Sequence, residues 1–280
     1  MKVVRTIGEM QRLTTRLRQE GSLGFVPTMG ALHEGHLELV RAAKRRCDRV
    51  VVSVFVNPIQ FGPKDDYHAY PRDFKRDRLL LARVATDVVF YPDVREMYPD
   101  DYATYVEVEG LTKYLCGRSR PGHFRGVTTV VTKLFNIVKP DVAVFGQKDA
   151  QQAFVIKRMV RDLNFPVDIV IVPTVREPDG LAMSSRNVYL TQEERRQATV
   201  LYQSLREGEA MIKSGERDAR RVKQALRRLI RTAPLAQIDY VEIVDTSRLH
   251  PVKTIKGEVL IALAVYFGRA RLIDNLIVRG

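Results

Sequence analysis

Residues 25–36, FVPTMGALHEGH, hold the side chains best placed to do chemistry. His33 and His36 lie three positions apart and so share one face of a helical turn. A short apolar run, 23–26, ends at Pro27. The turn Thr28-Met29-Gly30 follows, and a helix begins near His33. Backbone N–H groups at a helix start attract anions, and the helix dipole adds to the attraction. Gly35 leaves room for a ligand to come close. Two imidazoles donating to phosphate oxygens stabilise negative charge as it grows in a transition state. A helical zinc site would use i, i+4 spacing and a third ligand. The remaining histidines, His68, His123 and His250, sit in no matching context. The phosphate loops GxxxxGK[ST] and GxGxxG are both absent, which disfavours a kinase-type or dinucleotide-type site.

Three further clusters add polar groups. SVFVNPIQF, 53–61, sets Asn57 and Gln60 behind a β-branched run. That is the carboxyl edge of a strand, where open α/β sheets bind ligands. Neutral amides there bind hydroxyl, amine and carboxylate groups without adding charge, although Asn-Pro is also a common turn starter. VFGQKDAQQ, 144–152, ends a strand on Gly146 and continues into Gln147, Lys148 and Asp149. Lys148 is a mobile point charge suited to a phosphate. Asp149 reads equally as a helix N-cap or as a ribose or metal contact, and Gln152 falls one turn into the next helix. REPDGLAMSSRN, 176–187, is a Pro-Asp-Gly turn followed by Ser184, Ser185 and Arg186. Hydroxyls, amides and a guanidinium in that order suit phosphate oxygens, and they equally suit an ordinary polar loop.

The elements that must position these groups follow from periodicity. Thr6 and Glu9 have capping-box spacing ahead of Met10, Leu13 and Leu17. Apolar runs at 23–26, 50–56, 87–91, 142–145 and 169–172 read as buried strands. Helical patterns at 33–46, 73–85, 126–138 and 150–163 alternate with them. That alternation predicts an α/β fold, a doubly wound parallel sheet covered on both faces. Residues 104–108 form a weaker strand pattern. Past residue 177 the style changes. A second capping-box pair, Thr191 and Glu194, starts one long helix striped by Ala198, Leu201, Leu205 and Ile212. Val222 to Ile230 stripe another, and strands are expected at 240–244, 259–266 and 272–278. Helices followed by strands predict a smaller α+β domain. The division is expected near Glu177-Pro178, giving 1–177 and 178–280.

Composition sets the outer bounds. The chain has 280 residues, 45% hydrophobic and 28% charged, the balance of a globular protein. Lys and Arg exceed Asp and Glu by 46 to 33, a net charge of +13. Such an excess favours polyanions without choosing among them. Val259 to Phe267 is the longest apolar run, about half of what a membrane-spanning helix needs. The N-terminus has no apolar signal core. Two cysteines, Cys47 and Cys116, are too few for a disulfide framework, so a reducing cytoplasm is expected.

HEGH followed far downstream by MSSR resembles the paired HIGH and KMSKS motifs of class I aminoacyl-tRNA synthetases and related nucleotidyltransferases. Ala182 and Ser185 stand where the second motif has lysines. A closer resemblance is to the pantothenate synthetase (pantoate–β-alanine ligase) family. PTMGALHEGH, VFVNPIQF, RPGHFRGVTTVVTKLFNIVKPD, VFGQKDAQQ and DGLAMSSRN recur in that family's order and spacing. VEIVD and ARLIDN near the C-terminus are similar too.

The resemblance implies a Rossmann-like domain of the HIGH nucleotidyltransferase type with a C-terminal lid. It implies ATP-dependent condensation of pantoate with β-alanine through a pantoyl adenylate, releasing AMP and pyrophosphate. By resemblance, ATP contacts fall on Met29, Gly30, Ala31, Leu32, His33, Glu34, Gly35 and His36. They fall also on Gly146, Gln147, Lys148, Asp149, Val175, Met183, Ser184, Ser185 and Arg186. His36 is then the catalytic histidine, acting with His33 and Lys148. Gln60 would hold pantoate and lie near β-alanine, Gln152 would hold pantoate, and Asn57 would be their neighbour. Mg²⁺ would accompany ATP, with protein ligands unassigned. A homodimer is implied.

Two other classes stay open on sequence. One is a nucleotidyltransferase acting on a phosphorylated acceptor, which the neutral amides Asn57, Gln60 and Gln152 disfavour. The other is a nucleic-acid-binding module, for which only the net charge speaks. Neither nucleic acid nor membrane is expected as a partner. Removing the His36 imidazole (His36→Ala) is expected to lower kcat by roughly 10²–10³ with an unchanged circular dichroism spectrum. Near-normal turnover in that variant would take His36 out of the chemistry.

Overall fold

The structure is a computed structural model that describes residues 1–63, 65 and 67–280. In the first half, strands β1 (Lys2–Val4), β2 (Leu23–Thr28), β3 (Arg49–Val54), β4 (Val88–Phe90), β5 (Val142–Gly146) and β6 (Asp168–Val172) form one sheet. Helices α1 (Ile7–Glu20), α2 (Glu34–Lys44), α3 (Phe74–Arg83), the short α4 (Val94–Met97) and α5 (Cys116–Ser119), α6 (His123–Val138) and α7 (Ala150–Asp162) come between them. The second half carries α8 (Gln192–Gln197), α9 (Val200–Lys213), α10 (Ala219–Ile230) and strands β7 (Ala236–Asp245), β8 (Glu258–Phe267) and β9 (Ala270–Arg279).

The chain divides into two compact units. The first comprises Met1–Val108, Arg120–Gly146 and Val155–Pro173, the second Glu109–Ser119, Gln147–Phe154 and Thr174–Gly280. The expected pieces 1–177 and 178–280 differ from this chiefly by two short segments of the first half that count with the second unit.

In the first unit the strand order is β1-β4-β3-β2-β5-β6, parallel throughout. Successive residues of a strand face opposite ways, and β2 shows the result. Val26 joins the cluster that includes Leu37 and Val40 of α2. Phe25 meets Phe135 of α6 edge-on, with ring centroids 6.3 Å apart. Burial on both faces is why these strands read as unbroken apolar runs. Strand order reverses between β2 and β5, the point where doubly wound sheets open a crevice at their carboxyl ends. β2 runs there into the HEGH turn, and β5 ends there on Gly146.

The second unit has a three-stranded antiparallel sheet, β7-β8-β9. α9 and α10 press Leu201, Leu205, Val222 and Leu226 onto Ile243, Ile261 and Leu263. β8 is the central strand, which accounts for the long apolar run at Val259 to Phe267. Both cysteines are buried, and no helix among the described residues is long and apolar enough to cross a membrane.

Two local expectations are corrected, and one strand was not foreseen. Residues 104–108 form no strand. Val106 N–H donates to Thr129 Oγ1 at 3.0 Å, and Val106 O accepts from Thr128 Oγ1, so side chains replace a ladder. The single helix expected after Thr191 is two. It breaks at Ala198-Thr199, where Thr199 Oγ1 donates back to Arg196 O at 2.9 Å and competes with the helical bond. β1 carries too few residues to show a period, yet it pairs in parallel with β4. Leu226 is fully buried in the second core. Leu226→Ala is expected to destabilise that unit by about 2–5 kcal/mol, measured by urea unfolding.

Candidate active site

The first unit builds one cluster around the turn after β2. Thr28 Oγ1 donates to Ser53 O at 2.8 Å and accepts from Gly30 N–H at 3.2 Å. Gly30 (φ 79°) and Ala31 (φ 49°) are both left-handed. For alanine that conformation costs about 1–2 kcal/mol, so something must hold it. Asp77 of α3 does so. Its carboxylate accepts from Ala31 N–H at 3.0 Å and Leu32 N–H at 2.8 Å, and the residue is 2% exposed. Burial pushes the Asp77 carboxyl up from its ordinary range, and the two N–H bonds oppose that rise. A side chain at Gly30 would meet Asp77 Oδ2 at 2.8 Å, so no Cβ fits.

α2 starts with a reciprocal cap made by the two histidines. Gly35 N–H donates to His33 Nδ1 at 3.2 Å, and His33 N–H donates to His36 Nδ1 at 3.4 Å. An Nδ1 that accepts a hydrogen bond carries no proton, so in each neutral ring the proton sits on Nε2. The rings lie 4.1 Å apart between centroids. The backbone N–H groups of Ala31, Leu32, His33 and Gly35 already have acceptors within the protein. In the neutral form each imidazole also carries a donor, its Nε2–H.

Met29 links this turn to the amide pair. Gln60 is 7% exposed, and its Nε2 donates to Met29 Sδ at 2.9 Å. Asn57 is 1% exposed. Its Nδ2 donates to Gln60 Oε1 and to Gly126 O, each at 3.0 Å, while Tyr98 OH donates to its Oδ1 at 2.8 Å. Asn57 therefore orients Gln60. Helix α6 closes on the same turn, where a Cβ at Gly126 would collide with Ile59 O and lie 2.5 Å from Gln60 Cα. His123 fixes the turn's backbone. Its Nε2 faces Arg120 Nη1 at 3.1 Å and must accept, so Nδ1–H donates to Gln60 O at 2.8 Å. A cavity of about 230 Å³ opens beside Met29 and Gly30, with Arg5, Arg72, Asp73 and Asp77 also in its walls.

The second unit gathers its own cluster. Met183 N–H bonds to Val175 O at 3.0 Å, and an isolated bridge joins Arg176 to Ala182. Ser184 caps the 3₁₀ turn Ser185–Tyr189, its Oγ accepting from Arg186 N–H at 3.2 Å. Lys148 Nζ lies 3.5 Å from the same Oγ. Arg176 forms a two-pronged pair with Asp274 at 2.6 and 3.0 Å. Asn275 Nδ2 reaches the carbonyls of Gln147 and Lys148. Asp149 is exposed just before α7, and Gln152 is half-buried on the first turn of that helix.

Asp77, Tyr98, His123, Asp274 and Asn275 were not singled out from sequence. A sign was there for some of them. Asp77 shares the buried stripe of α3 with Leu81 at i, i+4 spacing. Asp274-Asn275 stands between the apolar pairs Leu272-Ile273 and Leu276-Ile277 of β9.

A sequence profile described as pantoate-beta-alanine ligase matches residues 2–277. A pantothenate synthetase from Pelotomaculum thermopropionicum is 60% identical over 278 residues, covering 99% of each chain. The crystal structure of pantothenate synthetase from Thermus thermophilus superposes with a TM-score of 0.94 at 50% identity, covering 99% of each chain. A pantoate-beta-alanine ligase from Francisella tularensis, complexed with beta-gamma ATP and beta-alanine, gives 0.82 at 35% identity, covering 99% of this chain and 97% of that one.

Replacing Asp77 by Asn keeps one acceptor but turns an NH₂ group toward the second backbone N–H. Asp77→Asn is expected to cost about 1–3 kcal/mol, read from denaturant unfolding. An unchanged midpoint would show that the carboxylate does not hold the turn.

Proposed function

The chain belongs to the pantoate–β-alanine ligase family, and on that premise we propose how its residues divide the work of joining the two substrates. The reaction consumes ATP. A pantoate carboxylate oxygen attacks the α-phosphorus, the bond to the β-phosphate breaks, and pyrophosphate leaves. The β-alanine amine then attacks the pantoyl carbonyl, AMP leaves with the bonding pair, and the amine proton is lost to give pantothenate. Adenylation replaces oxide, a poor leaving group, with AMP, a good one.

Charge builds on phosphate oxygens in the first step. His33 and His36 donate to those oxygens through Nε2–H, His36 being the catalytic histidine, and Lys148 brings a cation. Met29 to His36, Gly146 to Asp149, Val175 and Met183 to Arg186 make the ATP contacts. Gln60 holds pantoate and faces β-alanine, Gln152 holds pantoate, and Asn57 supports them by orienting Gln60. Neutral amides suit a hydroxy acid and an amine, which a second phosphate would not require. Mg²⁺ enters as the Mg–ATP complex and screens the β- and γ-phosphates. Among the described residues no group of three or more His, Cys, Asp or Glu is placed to hold a metal. The beta-gamma ATP and beta-alanine of the F. tularensis relative support ATP and β-alanine as substrates here. The working form is a homodimer in a reducing cytoplasm, acting on small molecules and not on nucleic acid or membrane.

The observation that carries this assignment is the histidine pair whose Nδ1 atoms both accept backbone N–H bonds. Pantoate, β-alanine and Mg–ATP are expected to yield pantothenate, AMP and pyrophosphate in equal amounts. Without β-alanine, pyrophosphate release is expected to stop after the first turnover, because an adenylate shielded from water is not hydrolysed. ADP as product, or a stable nucleotide conjugate, would overturn the assignment.

A further inference from the structure

Asp274 and Asn275 sit side by side on β9, both buried. Asn275 is 3% exposed. Its Nδ2 donates to the carbonyl of Gln147 at 2.9 Å and to that of Lys148 at 3.0 Å. Its Oδ1 is buried and has no hydrogen-bond partner among the described residues. Turning the amide over would set that oxygen against two carbonyls, so the orientation is forced. A buried amide with one end unsatisfied is unfavourable beside an apolar residue of similar volume. What it offers in return is the pair of carbonyls it satisfies.

What the amide achieves is control of two consecutive main-chain carbonyls, the second belonging to Lys148 itself. Its neighbour Asp274 acts on the other strip of the same cluster. Asp274 grips Arg176 in a two-pronged pair, and Arg176 also donates to Gly180 O at 3.1 Å. That closes the turn leading to Ser184, whose Oγ lies 3.5 Å from Lys148 Nζ. One strand thus holds both the segment that carries the lysine and the segment that carries the serine.

We propose that Asn275 is a positioning residue for phosphate activation: by fixing the main chain at Gln147 and Lys148, it sets the point from which the Lys148 ammonium reaches the nucleotide. This rests on the assignment of Lys148 to ATP made above. Asn275 touches no reacting atom. It acts through Lys148, because a displaced charge loses much of its hold on a transition state.

Asn275→Ala removes both donors. kcat/KM for ATP is expected to fall about 10–100-fold, with KM for pantoate and for β-alanine unchanged. In a Lys148→Ala background the same substitution is expected to have no further effect, since the group it positions is gone. Asn275→Ser leaves a donor of shorter reach and is expected to fall between. If Asn275→Ala does not reach a native circular dichroism spectrum, Asn275→Ser carries the same comparisons. ATP kinetics equal to wild type would overturn the inference, as would losses that multiply in the double variant. Either result with an active wild type fails this inference alone, whereas a wild type that makes no pantothenate fails the assignment of function.

Discussion

A loop that leaves a parallel strand has no ladder to bond with, yet its N–H groups need acceptors once they are buried. The turn after β2 meets that need with the Thr28 hydroxyl for Gly30 and one carboxylate for the next two residues. Asp77 receives the N–H groups of Ala31 and Leu32 and holds a left-handed alanine that would otherwise relax. The histidines follow immediately in sequence. Their helix can start where it does only because the preceding turn is held. The cost is a charge buried in α3, visible in the upward push on its carboxyl.

The reciprocal cap of α2 then does two things at once. It satisfies N–H groups at the helix start, and it selects the tautomer of both rings. Capping is normally the work of serine, threonine, aspartate or asparagine. Imidazoles in those positions keep a second ring nitrogen, which carries the proton in the neutral form. Asn57, Tyr98 and His123 serve Gln60 in the same indirect manner, each engaging a group that would otherwise drift.

The parallel sheet was legible because β2, β3 and the middle of β5 are buried on both faces and read as apolar runs, while the half-buried edge strand β6 is β-branched. Thr6 and Thr191 marked helix starts that exist, since a cap is written in two residues close in sequence. The strand expected at 104–108 failed because Thr128 and Thr129, some twenty residues away, take its backbone groups. The break at Thr199 lay in one hydroxyl's choice of acceptor. In the two clusters, one in each unit, His33, His36 and Gln60 and, separately, Lys148 stood out by type and local spacing. Asp77 and Asn275 did not, because each acts on main chain more than forty residues distant. Nothing in the local sequence says which carbonyl or N–H a buried polar side chain will meet.

Gly126 shows what main-chain contact means for the future of such a site. Where α6 meets the turn carrying Gln60, backbone faces backbone with no side chain between them. A wall made of side chains can be enlarged or trimmed one substitution at a time, and a wall made of main chain cannot. Natural drift or laboratory evolution must therefore leave this wall alone and recruit changes elsewhere around Gln60, or else shift a whole helix.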